Sequence, residues 1–149
     1  MMKLDLHGMK TRDAVERFIS EYNRAVREKA DRLEVVHGYG STGVGGDIKA
    51  ALAALLDAYA SKVRYIKGES LGNKGMTIVL PDGPLPPRRT ALDEIVMRAM
   101  SKAVSAQAIE DRISGLATSE EVMASLKWLV GSGRAVRVEQ NGRYLYTRK

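Results

Sequence analysis

Apolar positions along the chain recur with two periods, and the alternation between them sets out the elements. Lys3 to Leu6 reads as a short strand. Thr11 is placed to cap a helix, with Asp13 near the positive end of its dipole. From there Val15, Phe18, Ile19, Tyr22 and Val26 recur at helical spacing and predict one buried stripe. Leu33 to Val36 is a second strand, running into a glycine-rich loop. Asp47 is placed to cap a second helix, whose apolar face is Ile48, Ala51, Leu52, Leu55 and Tyr59. Val63 to Ile66 and Met76 to Leu80 are two further strands. Strands joined through a helix are normally parallel, with a right-handed crossover. Residues 1–81 are therefore expected to form an α/β domain, a two-layer β-α-β-α-β-β sandwich.

All four prolines fall between Pro81 and Pro87. Proline fixes its own torsion and biases the residue before it toward extended backbone, so residues 82–89 read as a stiff Pro-rich linker. Beyond it, Leu92, Ile95, Val96, Ala99 and Met100 mark one helix. A second spans roughly Ser105 to Ser114, burying Ile109 and Ile113. Thr118 or Ser119 caps a third, with Val122, Met123, Leu126, Leu129 and Val130 inward, and Gly131 and Gly133 stop it. Arg134 to Val138 and Arg143 to Thr147 flank Asn141-Gly142, a strong hairpin signal. Three helices followed by a hairpin predict a small α+β, winged-helix-like domain over residues 90–149.

The chain has 149 residues and no cysteine, which excludes disulfide scaffolds, cysteine zinc sites and thiol nucleophiles. No apolar stretch approaches a membrane span, and the N-terminus shows no secretory signal, so the expectation is a cytoplasmic protein with no membrane partner. The net charge of +6 is shared: 13 basic against 10 acidic side chains in residues 1–80, and 11 against 8 in residues 81–149. A basic balance of this size is compatible with nucleic acid but does not establish it.

The two histidines repeat one context, strand-His-Gly-helix, at Leu6-His7-Gly8 and Val36-His37-Gly38. If their strands are parallel, both emerge at the same sheet edge, where open α/β folds place their sites. Asp5 shares a strand face with His7, where a carboxylate can orient the imidazole, hold a metal or help activate water. One Asp and one His do not name a metal set. The run from Gly38 to Gly46 (GYGSTGVGG) lets backbone amides approach a phosphate at a helix N-terminus. Ser41 and Thr42 add hydroxyls there, and Lys49 lies one turn into the helix. Gly38, Gly40 and Gly43 spell GxGxxG, but no acid ends a following strand at the spacing a dinucleotide requires. A nucleotide-triphosphatase phosphate loop fails too, since no Gly-Lys-Ser or Gly-Lys-Thr is present. Asn73 and Lys74 sit at the tip of SLGNKGMT, as a backbone contact or as part of a plain wide hairpin.

LDLHG at Leu4 to Gly8, VVHGYG at Val35 to Gly40 and GNKGMTIVL at Gly72 to Leu80 resemble, in order, the blocks of the Smr (small MutS-related) domain. The resemblance covers roughly residues 1 to 81. It implies the sandwich reached above from periodicity, and endonuclease activity that nicks or cuts DNA or RNA. By similarity Asp5 and His7 take the family's catalytic LDxH positions, and His37, Gly38 and Gly40 its HGxG loop facing nucleic acid. Two departures stand out. Tyr39 replaces the basic residue many members carry between the two glycines, and offers a ring for stacking on a base. The loop also runs on through Val44, Gly45 and Gly46.

The expected activity is therefore phosphodiester hydrolysis, with His7 as general base or acid, Asp5 orienting it or holding a metal, and Mg²⁺ or Mn²⁺ the cofactor if one is used. The loop from His37 to Gly46 would cradle the phosphate. In the C-terminal domain the third helix opens on Thr118-Ser119-Glu120-Glu121, acids that suit a DNA groove poorly, whereas the wing carries Arg134, Arg137, Arg143, Arg148 and Lys149. Backbone contact through the wing, or a protein partner or self-association through this domain, is expected rather than base reading. The rival is a binding module that cuts nothing; a third reading is an enzyme whose glycine loop holds a small phosphorylated ligand.

Overall fold

The computed structural model describes residues 2–38, 44–113 and 115–149. It divides into two compact units, Met1–Arg88 and Arg89–Lys149.

The first unit contains β1 (Met2–Asp5), α1 (Thr11–Arg27), β2 (Leu33–Val36), α2 (Val44–Ala58), β3 (Val63–Lys67), a 3₁₀ turn (Gly68–Leu71) and β4 (Met76–Pro81). Its sheet has the order β1-β2-β4-β3. β1 and β2 are parallel, with Asp5 opposite Val36, and β4 lies antiparallel between β2 and β3. Thus β2 and β3, joined through α2, do run in one direction, but β4 separates them. The fold is the mixed α/β arrangement expected for this region.

Helices α1 and α2 bury Val15, Phe18, Ile19, Tyr22, Ile48, Leu52, Leu55 and Leu56 together with Leu4, Leu33, Val35 and Val79 of the sheet. Ring contact between Phe18 and Tyr22, with centroids 5.8 Å apart, follows from their i, i+4 spacing. Both helix starts differ from expectation. The N-cap of α1 is Lys10, and Thr11 is the first helical residue, buried instead of capping. α2 begins three residues before Asp47, which is an exposed first-turn acid and not the cap. Val26 and Tyr59 are only half-buried; Ala25 and Leu56 take the interior places because the apolar arc is wider than a single stripe.

The stretch after β4 is not a free tether. Asn23 of α1 donates to the Leu85 carbonyl and accepts from the Leu85 amide, both at 2.9 Å. Tyr22 donates its hydroxyl proton to the Gly83 carbonyl at 2.7 Å. Leu85 is itself buried. Prolines remove half of the backbone donors of residues 82–87; of the rest, Asp82 and Leu85 donate to Tyr22 and Asn23 of α1, and Gly83 donates to the Lys62 carbonyl.

The second unit is α+β: α3 (Arg88–Ala99, its first residue belonging to the first unit), α4 (Ala106–Arg112), α5 (Ser119–Gly131), β5 (Ala135–Gln140) and β6 (Arg143–Arg148). Thr118 caps α5 in a reciprocal box with Glu121. Asn141 and Gly142 both hold positive φ, as a two-residue hairpin turn matched to strand twist requires. Leu92, Ile95, Val96, Met100, Ile109, Leu126 and Leu129 form the core. Met123, expected inward, is 46% exposed; Ser125 takes an interior place and donates to Asp93 at 2.6 Å. The expected end of α4 at Ser114 lies outside the described residues.

Candidate functional site

β1 and β2 end side by side, and the backbone carries that alignment one residue further: the Leu6 amide donates to the Val36 carbonyl at 2.7 Å. His7 and His37 therefore leave the same end of the sheet. The turn into β4 reaches this end as well, because the Gly75 carbonyl accepts from the amides of His37 (3.0 Å) and Gly38 (3.1 Å).

At β1 the chain runs out into solvent. Asp5 and His7 remain exposed, with side chains 53% and 70% accessible, and are joined by a 2.6 Å contact between Asp5 Oδ1 and His7 Nδ1. The same Oδ1 accepts from the His7 backbone amide at 3.1 Å. These two bonds to His7 hold the Asp5 carboxyl below its ordinary value of 3.8. With Nδ1 donating to the carboxylate, Nε2 is the ring nitrogen left facing outward, and in the neutral imidazole it carries a lone pair. Gly8 follows at φ +78°, a conformation that costs other residues strain, and turns the chain away behind the ring.

His37 takes a different position. It is fully buried, so its ring lies beneath the start of the loop expected to face nucleic acid. Nδ1 lies 3.0 Å from the Gly38 carbonyl and Nε2 lies 2.9 Å from Thr77 Oγ1. A neutral ring satisfies both contacts: Nδ1–H donates to the carbonyl, and the Thr77 hydroxyl donates to Nε2. Burial lowers the His37 pKa from 6.5, reinforced by the nearby Lys49 charge. The ring thus anchors the start of the glycine-rich loop to β4.

Lys49 is also committed. Its ammonium donates to Glu69 Oε1 at 2.7 Å and to the Lys74 carbonyl at 3.2 Å, so it braces the turn before β4. Asn73 and Lys74 are exposed on that turn, and Asn73 Oδ1 accepts from the Gly75 amide at 3.1 Å. Gly38 has φ +86°. Tyr39, Gly40, Ser41, Thr42 and Gly43 lie outside the described residues, and Gly45 and Gly46 belong to the first turn of α2.

Three supporting residues escaped the sequence reading. Glu69 lies in no quoted motif, and Thr77 lies in the GNKGMTIVL block without any role marked there; only their partners Lys49 and His37 give them meaning. Gly68 is required by space: a Cβ there would lie 1.8 Å from the Asn73 carbonyl oxygen and 2.2 Å from that of Met76. Its position directly after a strand was the one available signal.

Among the described residues no group of three or more His, Cys, Asp or Glu side chains is gathered to hold a metal ion. Asp5 and His7 alone are too few ligands for a protein cage around Mg²⁺ or Mn²⁺. In the second unit Arg134 pairs with Glu94 at 2.6 Å, and the Arg137 guanidinium lies over the Tyr144 ring, 4.4 Å from its centroid. Arg143 is exposed on the wing. No described helix is long and apolar enough to cross a membrane.

No curated protein and no solved structure matches the chain. The Smr domain family model matches residues 4–81. Smr domains are generally nucleic-acid-binding, nuclease-related modules. With that match covering more than half of its length, and LDLHG and His37-Gly38 at the ends of paired parallel strands, the chain belongs to the Smr domain family.

Proposed function

We propose that this protein is an endonuclease that nicks DNA or RNA, with His7 as the general base and Asp5 as its orienting partner. The observation that carries the reading is the exposed 2.6 Å Asp5–His7 pair at the end of β1. Nε2 takes a proton from an attacking water as the water oxygen bonds to phosphorus. The ester P–O bond breaks, the departing sugar oxygen is protonated from solvent, and the imidazolium returns its proton to solvent. The Asp5 carboxylate holds the tautomer and stabilises the imidazolium that forms. A divalent ion remains a condition to be tested, and no step is routed through one.

Asn73, Lys74 and the backbone from Gly38 to Gly46 are proposed to hold the phosphate chain beside His7, with Tyr39 stacking on a base. His37 and Lys49 act beneath this surface by fixing the loop and the turn. In the second unit, the hairpin arginines Arg134, Arg137 and Arg143 are proposed to add backbone contact. The acids Glu120 and Glu121 at the start of α5, one of them spent in the cap, argue against base reading there. Binding is then mainly sequence-independent and strongly weakened by salt.

A binding module without catalysis is the second reading. The observation favouring it is that Asp5 and His7 are only two residues apart, so their bonds also form a local turn at a strand end. The deciding experiment is a nicking assay on supercoiled plasmid and on structured RNA, with and without Mg²⁺ or Mn²⁺, beside His7→Ala. Cleavage by the native chain that disappears in the variant supports the nuclease. Equal shifts of nucleic acid by both proteins, with no cleavage by either, leave the binding module.

A further inference from the structure

In the second unit β6 has neighbours on both sides: β5 on one, and Val104 on the other, whose amide and carbonyl bond Tyr146 at 2.9 and 2.7 Å. β5 has β6 alone among the described residues. The hairpin turn closes on the pair Gln140 and Arg143. Hydrogen-bonded pairs alternate with non-bonded ones in an antiparallel ladder. Counting back from the turn, Gln140, Val138 and Val136 aim their backbone groups at β6, while Glu139, Arg137 and Ala135 aim theirs at the open edge.

An open strand edge is a template for another strand unless something blocks it. β5 contains no proline, and its register with β6 runs unbroken from Ala135 to Gln140. Its charges are not of the blocking kind, since Arg137 and Glu139 have opposite signs and flank Val138. Laid antiparallel against the same strand of a second copy, with the two-fold axis at Val138, each Arg137 stands opposite the other copy's Glu139. Both of these are edge-facing residues, so each cross pair also exchanges backbone hydrogen bonds. The two neighbouring registers set Arg137 against Arg137 or Glu139 against Glu139, and like charges directly opposite are unfavourable. Ala135 and Tyr146 are buried on the face toward α5, whereas Val136 and Val138, pointing the other way, remain 38% and 41% exposed. Self-pairing brings Val138 against Val138 on that outer face.

We infer that β5 is a self-pairing edge, through which two copies of the chain associate into a four-stranded β6-β5-β5-β6 sheet. The contact is isologous and closes at two chains, so it does not propagate into fibres. It does not depend on the activity proposed above.

The test is sedimentation equilibrium of the full chain from low to high micromolar concentration. The native chain is expected to move from 16.3 kDa toward twice that mass. Arg137→Glu and Glu139→Arg each place like charges across the axis and are expected to stay at one-chain mass. An equimolar mixture of the two restores opposite pairs and the doubled mass, which also shows that both variants are folded. Glu139→Pro removes an edge-facing amide that bonds nothing within the hairpin, and is expected to stay at one-chain mass. A native chain of one-chain mass at every concentration overturns the inference. So does either charge variant associating as well as the native chain, or a mixture that fails to associate.

Discussion

His7 and His37 have the same local context, each following a strand and preceding a glycine at positive φ. One is 70% exposed and bonded to a carboxylate; the other is sealed from solvent and bonded to a carbonyl and a threonine hydroxyl. The difference comes from strand position. β1 is an edge strand, and the residue beyond its end stays exposed. β2 lies between β1 and β4, and the turn into β4 closes over the residue that follows it. A repeated motif therefore leaves one imidazole exposed at the edge, where the proposed general base must be, and buries the other as a structural anchor.

The sharpest way to break this contrast is to remove each ring in turn. His7→Ala should lower the nicking rate by about 10²- to 10⁴-fold, the usual worth of a positioned general base, in an assay at saturating nucleic acid. Its chemical-denaturation midpoint should stay near that of the native chain, since an exposed ring is lost. His37→Ala should show the reverse pattern, with stability falling by roughly 2 to 4 kcal/mol in urea titration, from a cavity and an orphaned Thr77 hydroxyl. Loss of nicking without loss of stability in His37→Ala would place that ring in the chemistry and dissolve the distinction.

Asp5→Asn sharpens the edge half. It keeps the shape but removes the charge that stabilises the imidazolium, and should slow nicking about 10- to 100-fold. That is short of the ~10⁴ seen for a buried triad carboxylate, because water screens an exposed pair. An unchanged rate would reduce the pair to a turn.

The smallest effect is a pH signature of the buried half. The folded-state pKa of His37 lies below 6.5, so between that lower value and 6.5 the unfolded chain binds more protons than the native one. Stability should therefore rise with pH through this window, level off above 6.5 and decline as pH falls below it. Asp5, lowered from 3.8, gives up its own contribution only in stronger acid. Urea midpoints across mildly acidic pH should show the slope in the native chain and its absence in His37→Ala.

Much of the first unit was legible in the chain. Buried strands and amphipathic helices leave periodic apolar positions, and eight core positions of α1 and α2 (Val15, Phe18, Ile19, Tyr22, Ile48, Ala51, Leu52 and Leu55) fall where spacing placed them. LDLHG marked Asp5 and His7 because a short-range pair keeps its geometry in the sequence itself. Helix starts were less legible, since Lys10 and Thr11 both suit the first turn of α1 and only backbone torsions separate cap from first residue. The inward face of α5 was misread at Met123, because Met is apolar wherever it sits, and here it stays 46% exposed.

Periodicity and one short motif thus determined the element order, the α/β class of the first unit and the pairing of Asp5 with His7, all properties carried by residues a few positions apart. Tertiary structure decided what depends on contacts across tens of residues. It placed β4 between β2 and β3, closed Thr77 over His37, turned Lys49 onto Glu69 and left β5 at an open edge. The physical reason is that burial and pairing belong to the neighbours a residue acquires on folding, and sequence spacing records only those within one turn or one strand.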